Sequence, residues 1–74
     1  MTGLIDPKQL GRAIARRRAG MGWDHAMLAT RIGGDERRMA CVEAGLVELS
    51  VTDLARLGVV FGVPPSVLLA EGEL

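Results

Sequence analysis

The stretch Gly22-Trp23-Asp24-His25-Ala26-Met27-Leu28-Ala29-Thr30-Arg31-Ile32-Gly33-Gly34-Asp35-Glu36-Arg37-Arg38-Met39-Ala40-Cys41-Val42-Glu43-Ala44-Gly45 decides the fold of this chain. It reads as two short helices joined by a tight glycine turn, spanning about residues 24–44. The first opens on Asp24 as N-cap and buries Leu28, Ala29 and Ile32. Gly33 and Gly34 make the turn. The second opens on Asp35, buries Met39 and Val42, and stops at Gly45. A short turn containing glycine lets two helices cross steeply and still share a core. The second helix then stands as an exposed rod of a size that fits the major groove of DNA.

Outward from this pair, the spacing predicts three more helices. One runs from about Pro7 to Ala19, with Asp6 as N-cap and proline in the first turn. It turns Leu10, Ala13, Ile14 and Met21 inward and ends at Gly20 and Gly22. A fourth begins at Ser50, where Ser50-Val51-Thr52-Asp53 has the form of a capping box. Its inward stripe is Leu54, Leu57, Gly58 and Phe61, and Gly62 stops it. A fifth, short helix starts near Pro65 and carries Val67, Leu68 and Leu69, before a frayed tail from Ala70 to Leu74. Helices four and five thus cover about residues 50–69. The loops are short, no linker or repeat is visible, and residues 1–74 read as one all-α domain.

Composition supports an all-α reading. Seventy-four residues, 49% of them hydrophobic, allow one small core. Trp23 and Phe61 are the aromatic residues, and a sheet has little to build on. Cys41 is the one cysteine, so no internal disulfide forms, which suits a reducing cytoplasm. No apolar run approaches the roughly 20 residues needed to span a bilayer, and the start lacks the pattern of a signal peptide. Net charge is zero, but it is unevenly spread. Residues 1–45 hold eight Lys/Arg against five Asp/Glu, and residues 46–74 hold one against four. A chain basic in front and acidic behind can orient toward a polyanion, although a solvated helical surface carries the same charges.

Chemistry on bound substrates is not expected. One histidine, no tyrosine and no nucleophile–base–orienter set argue against an enzyme. One His and one Cys cannot supply a four-ligand zinc site, and Gly20-Met21-Gly22 lacks the third glycine and the preceding strand of a dinucleotide fingerprint. No cofactor or metal is expected.

Over about residues 10–69 the chain resembles the Cro/phage-repressor (XRE) type helix-turn-helix family. The residues that carry the resemblance are Arg18 near the end of the first helix, the Leu28-Ala29 pair, Gly33 at the turn, Met39 midway along the next helix, and Glu43-Ala44-Gly45 at its close. The later run Phe61-Gly62-Val63-Pro64-Pro65-Ser66-Val67-Leu68-Leu69 is similar to the family's ending. The resemblance implies a compact five-helix, lambda-repressor-like DNA-binding domain acting as a small sequence-specific transcriptional regulator.

It also implies residue roles. Arg18 and Glu43 form a structural ion pair tying helix one to helix three. Glu36, Arg37, Ala40 and Cys41 match the base-reading positions. Arg37 can make two bonds to guanine O6 and N7, Glu36 can accept from cytosine N4 or repel phosphates, and Cys41 offers a small apolar contact. Arg38 lies to one side and meets a phosphate. His25 stands where the family often bonds a phosphate, or is a half-exposed surface histidine. Arg12, Arg16 and Arg17 are available to solvent or phosphate. A lone module reads few base pairs, so a homodimer on an imperfect palindrome is expected. Val67, Leu68, Leu69 and Leu74 are the expected dimer surface.

The loop after helix three departs from the family. Ala44-Gly45-Leu46-Val47-Glu48-Leu49 has no positive charge, whereas DNA-binding members often aim cations there. One of Leu46, Val47 and Leu49 is expected to plug the core, leaving the others as a partner surface. This keeps a second reading in view: a protein-interaction module or antitoxin-like adaptor on a helix-turn-helix frame, with weak or lost DNA binding.

Overall fold

The computed structural model describes residues 6–72. Among them run five α-helices and no strand: α1 Pro7–Gly20, α2 His25–Ile32, α3 Glu36–Glu43, α4 Val51–Phe61 and α5 Pro65–Gly72. Local chemistry sets the helix starts. The carboxylates of Asp6, Asp24 and Asp35 accept from the backbone N–H groups of Lys8, Met27 and Arg37 at 2.9, 2.8 and 3.0 Å. Ser50 Oγ accepts from Asp53 N at 3.1 Å while Asp53 Oδ2 accepts from Ser50 N at 3.1 Å, a reciprocal capping box. Each cap satisfies donors that a helix start leaves open and stabilises by about 1 kcal/mol.

The turn between α2 and α3 depends on backbone conformation. Gly33 has φ of 70°, which a side chain disfavours, and Gly34 N donates to Ala29 O at 2.8 Å to close the end of α2. Two residues later Asp35 caps α3, so the direction of the chain is reset within one short turn.

Leu10, Ile14, Leu28, Met39, Val42, Leu57 and Leu68 are buried together in one core. α1 packs against both α5 and α3, and α2 lies on α3. Trp23 stacks on Phe61 with ring centroids 6.1 Å apart, and the Arg31 guanidinium sits 4.2 Å over the indole. That stack joins the entry of α2 to the end of α4 and adds a cation–π contact at the surface.

The structure departs from the sequence expectations at several places. Met21 is 49% exposed rather than inward, because α1 ends at Gly20 and the helical period no longer governs the next residue. Leu54 is half-buried. Two loop residues, Val47 and Leu49, pack against the core instead of one, while Leu46 is 74% exposed. Leu68 has no exposed surface, since α4 and α5 meet at 102° and drive it into the monomer's core. It is therefore not available to a dimer surface, while Val67 and Leu69 are half-buried and Leu74 lies outside the described residues. The part of the tail that is described is helical as far as Gly72. Among the described residues no single helix is long and apolar enough to cross a membrane.

Candidate nucleic-acid interface

α3 has two unlike faces. Met39 and Val42 are buried, and Glu36, Arg37 and Ala40 are exposed, with Cys41 half-buried at the margin. The pairs 36/40, 37/40 and 37/41 are three or four apart, so the four positions share one side of the helix. A shallow depression lined by His25, Asp35, Glu36, Arg37 and Ala40 runs between the starts of α2 and α3. Three of the four expected base-reading residues, Glu36, Arg37 and Ala40, thus line it, and Cys41 does not. Among the described residues there are four ion pairs, and Arg37 is in none of them. Arg37 is exposed on the first turn of α3, with no side-chain partner among the described residues.

Beneath this face lies a polar network centred on Glu43. Glu43 Oε2 accepts from Arg18 Nε at 2.7 Å, and Oε1 accepts from Arg18 Nη2 at 3.0 Å, a two-pronged bond. Arg18 Nη1 donates to the Trp23 carbonyl at 2.8 Å. His25 Nε2 lies 2.9 Å from Glu43 Oε1. Because the carboxylate accepts only, that contact requires the ring proton on Nε2. The side chain of Glu43 is 7% exposed and that of Arg18 18%. The carboxylate therefore joins α1, the entry to α2 and the end of α3 in one place. His25 is held by this network through Nε2, which faces Glu43.

Two further cations expected at phosphate are also engaged. Arg38 Nη2 donates to Asp53 Oδ2 at 2.9 Å, binding α3 to the capping box of α4. Arg17 Nε and Nη2 donate to Glu71 Oε1 and Oε2 at 2.9 and 2.6 Å, binding α1 to α5. Neither pair was legible beforehand, because each joins residues far apart in sequence whose proximity only the packed helices create. The one available signal was the acidic, capping Asp53, read as a cap alone. Arg12 and Arg16 remain exposed on α1. Among the described residues no group of three His, Cys, Asp or Glu comes together to hold a metal ion.

These pairs shape acid stability. The hydrogen bond from Arg38 holds the Asp53 carboxyl below the usual carboxylate range, against burial, with the Ser50 N–H assisting. The hydrogen bond from Arg17 does the same for Glu71, again against burial, with the charges of Arg17 and Arg16 helping. A carboxyl whose pKa is lower when folded stabilises the fold above its unfolded value. That contribution is lost as pH falls through the folded value. The melting temperature is expected to hold level down to about pH 5 and to fall below about pH 4, the ordinary carboxyl range. Asp53→Asn and Glu71→Gln, followed by circular dichroism, each lower stability at neutral pH and flatten that acid slope.

No family model matches the chain, and comparison with curated proteins and with solved structures found no match. The functional reading accordingly stands on the geometry of α2 and α3.

Proposed function

We propose that this chain is a small sequence-specific DNA-binding transcriptional regulator that reads operator half-sites in the major groove with α3. The arrangement of its five helices is then of the lambda-repressor-like kind, and its relationship that of the Cro/phage-repressor type. The observation that carries the reading is the outward face of α3: Glu36, Arg37 and Ala40 exposed on a helix braced from behind, with Arg37 unpaired among the described residues. The Glu43 network fixes the orientation of that helix against α1 and α2, which base readout requires.

The assignment of contacts is narrower than sequence alone implied. With Arg17, Arg38 and His25 engaged inside the molecule, few of the expected phosphate contacts are left, and Arg37 is the unpaired cation on the face proposed to read bases. Backbone N–H groups at the starts of α2 and α3 support backbone contact. The loop after α3 adds no cation. Few phosphate contacts give a shallow salt dependence, since each contributes about −0.9 to the slope of log K against log salt.

Replacing Arg37 by alanine tests the reading. The expected result is a loss of discrimination at one base pair of about 1–3 kcal/mol, with a smaller change in non-specific affinity. It is measured by competition binding on duplexes permuted at single positions. An unchanged base preference removes Arg37 from the reading set.

A second reading, a protein-interaction module, is favoured by a specific observation: Leu46 and Val51 are 74% and 84% exposed on either side of residues 47–49, which line an apolar groove and include no cation. A duplex shift assay separates the two. Binding absent even at low salt favours the interaction module.

A further inference from the structure

Where the end of α2 meets α4, the surface holds a shallow depression lined by Thr30, Arg31 and Ile32 from one helix and Arg56, Val59 and Val60 from the other. Two cations line it and no carboxylate does. Arg31 and Arg56 are both exposed, and neither enters an ion pair among the described residues. Arg17, Arg18 and Arg38, by contrast, are each matched with a carboxylate from another helix. Two guanidinium groups at one depression repel each other and attract an anion.

Arg31 is also held in place. Its guanidinium lies 4.2 Å over the Trp23 ring, and its Nη1 donates to the Met27 carbonyl at 3.3 Å. Trp23 is itself stacked on Phe61 of α4. Among the described residues the Nε and Nη2 edge of Arg31 has no partner. That is the edge with which Arg17 grips Glu71. A planar fork fixed beforehand loses little freedom when it takes a carboxylate. The surroundings are apolar: Val59 is 82% exposed, Val60 is half-buried, and Met27, one turn before Arg31, is 45% exposed. A phosphate backbone gains nothing from those side chains. A peptide carrying both carboxylate and apolar side chains matches both parts of the surface.

We propose that this surface docks an acidic amphipathic segment of another protein, with one carboxylate on the open edge of Arg31, a second at Arg56, and apolar side chains laid over Val59 and Val60. Charge complementarity selects the partner, since a basic segment is repelled by both arginines. The surface shares no residue with the depression beside Arg37. The proposal therefore does not rest on the regulator reading, and α3 stays clear when the segment is bound.

Trp23 is the one tryptophan of the chain and, with Arg31 lying over it, reports on the site. The probes are short synthetic peptides without tryptophan, in which two glutamates flank leucines at helical or extended spacing, and the same peptides with glutamine in place of glutamate. They are titrated into the intact chain, followed by Trp23 fluorescence and by the methyl resonances of Val59 and Val60. Glutamate peptides of at least one spacing are expected to bind with a dissociation constant of about 1 mM or tighter and to move both signals, and their glutamine counterparts to bind about tenfold or more weakly. Arg56→Glu and Val59→Asp, at exposed positions, each weaken binding about tenfold with an unchanged helical spectrum. Arg31→Lys keeps the charge, loses the fork and weakens binding as well. Glutamate peptides of neither spacing binding, glutamine peptides binding equally well, or binding indifferent to Arg56→Glu overturns the proposal. Duplex DNA whose affinity falls in Arg56→Glu while the peptides stay unbound assigns the arginines to phosphate and overturns it too. Peptide binding unchanged by Arg37→Ala, in a chain that binds no duplex, upholds the docking surface and removes the regulator reading, so the two failures are told apart.

Discussion

Glu43→Ala is expected to destabilise the fold by about 3–5 kcal/mol, because it strands the Arg18 guanidinium in a largely buried position. The carboxylate receives two hydrogen bonds from Arg18 and faces His25, so three elements lose a common anchor at once. For a chain of this size the total stability is about 4–11 kcal/mol. The melting temperature therefore falls by about 15 °C or more. Thermal unfolding followed by circular dichroism measures it. Since the single variant risks not folding, the pair is also replaced as Arg18→Met with Glu43→Leu. That double variant is expected to be more stable than Glu43→Ala, because apolar groups leave no buried charge unpaired. A double variant no better than Glu43→Ala, or a single variant within about 1 kcal/mol of wild type, contradicts the role given to the network.

Gly11→Ala is expected to have the next largest effect. Gly11 is buried on α1, where the backbone of α1 meets the end of α3. A Cβ there would fall 2.5 Å from both the Val42 and Glu43 carbonyl oxygens. The obstructing atoms are backbone, so no rotamer change relieves the clash and α1 must move away from α3. In a well-packed core such overpacking costs about 1–3 kcal/mol or more. In an ordinary helix interior the same change stabilises by about 1 kcal/mol. The sign alone is therefore informative. Chemical denaturation gives it: a lower midpoint is expected, and a raised one contradicts the close approach of the two helices. Because that approach also sets Glu43 against Arg18, Gly11→Ala and Glu43→Ala are expected to be non-additive.

What the sequence disclosed is mostly local. Asp6, Asp24, Asp35 and Ser50 cap helices because a short polar side chain reaches the next turn's N–H, an event settled within three residues. Leu28, Ile32, Met39 and Val42 are buried because amphipathic spacing on two short helices admits one inward face. Misreadings fall where tertiary geometry decides. Leu68 is expected from sequence at a dimer surface, yet the bend between α4 and α5 turns it wholly inward. Val47 and Leu49 lie in a loop without period, and only the packed neighbours select both for burial.

The site was partly legible for the same reason. Side-by-side exposure of Glu36, Arg37 and Ala40 follows from helical spacing once Met39 and Val42 are inward. Which cations remain free does not. Arg17, Arg37 and Arg38 are alike as residues, and Glu71 and Asp53 arrive beside two of them from α5 and α4. A helix face can be read from period. The pairing of charges across helices depends on distances that no local pattern encodes.

In the proposed function α3 presents Arg37 to the edges of bases. Selection of bound duplexes from a random library, with stoichiometry measured on the selected sequences, tests it most directly. The expected result is a two-fold related motif with a guanine in each half, bound by two chains, and loss of the preference at those guanines in Arg37→Ala. Enrichment of no sequence at low salt, or a motif that Arg37→Ala leaves unaltered, contradicts it.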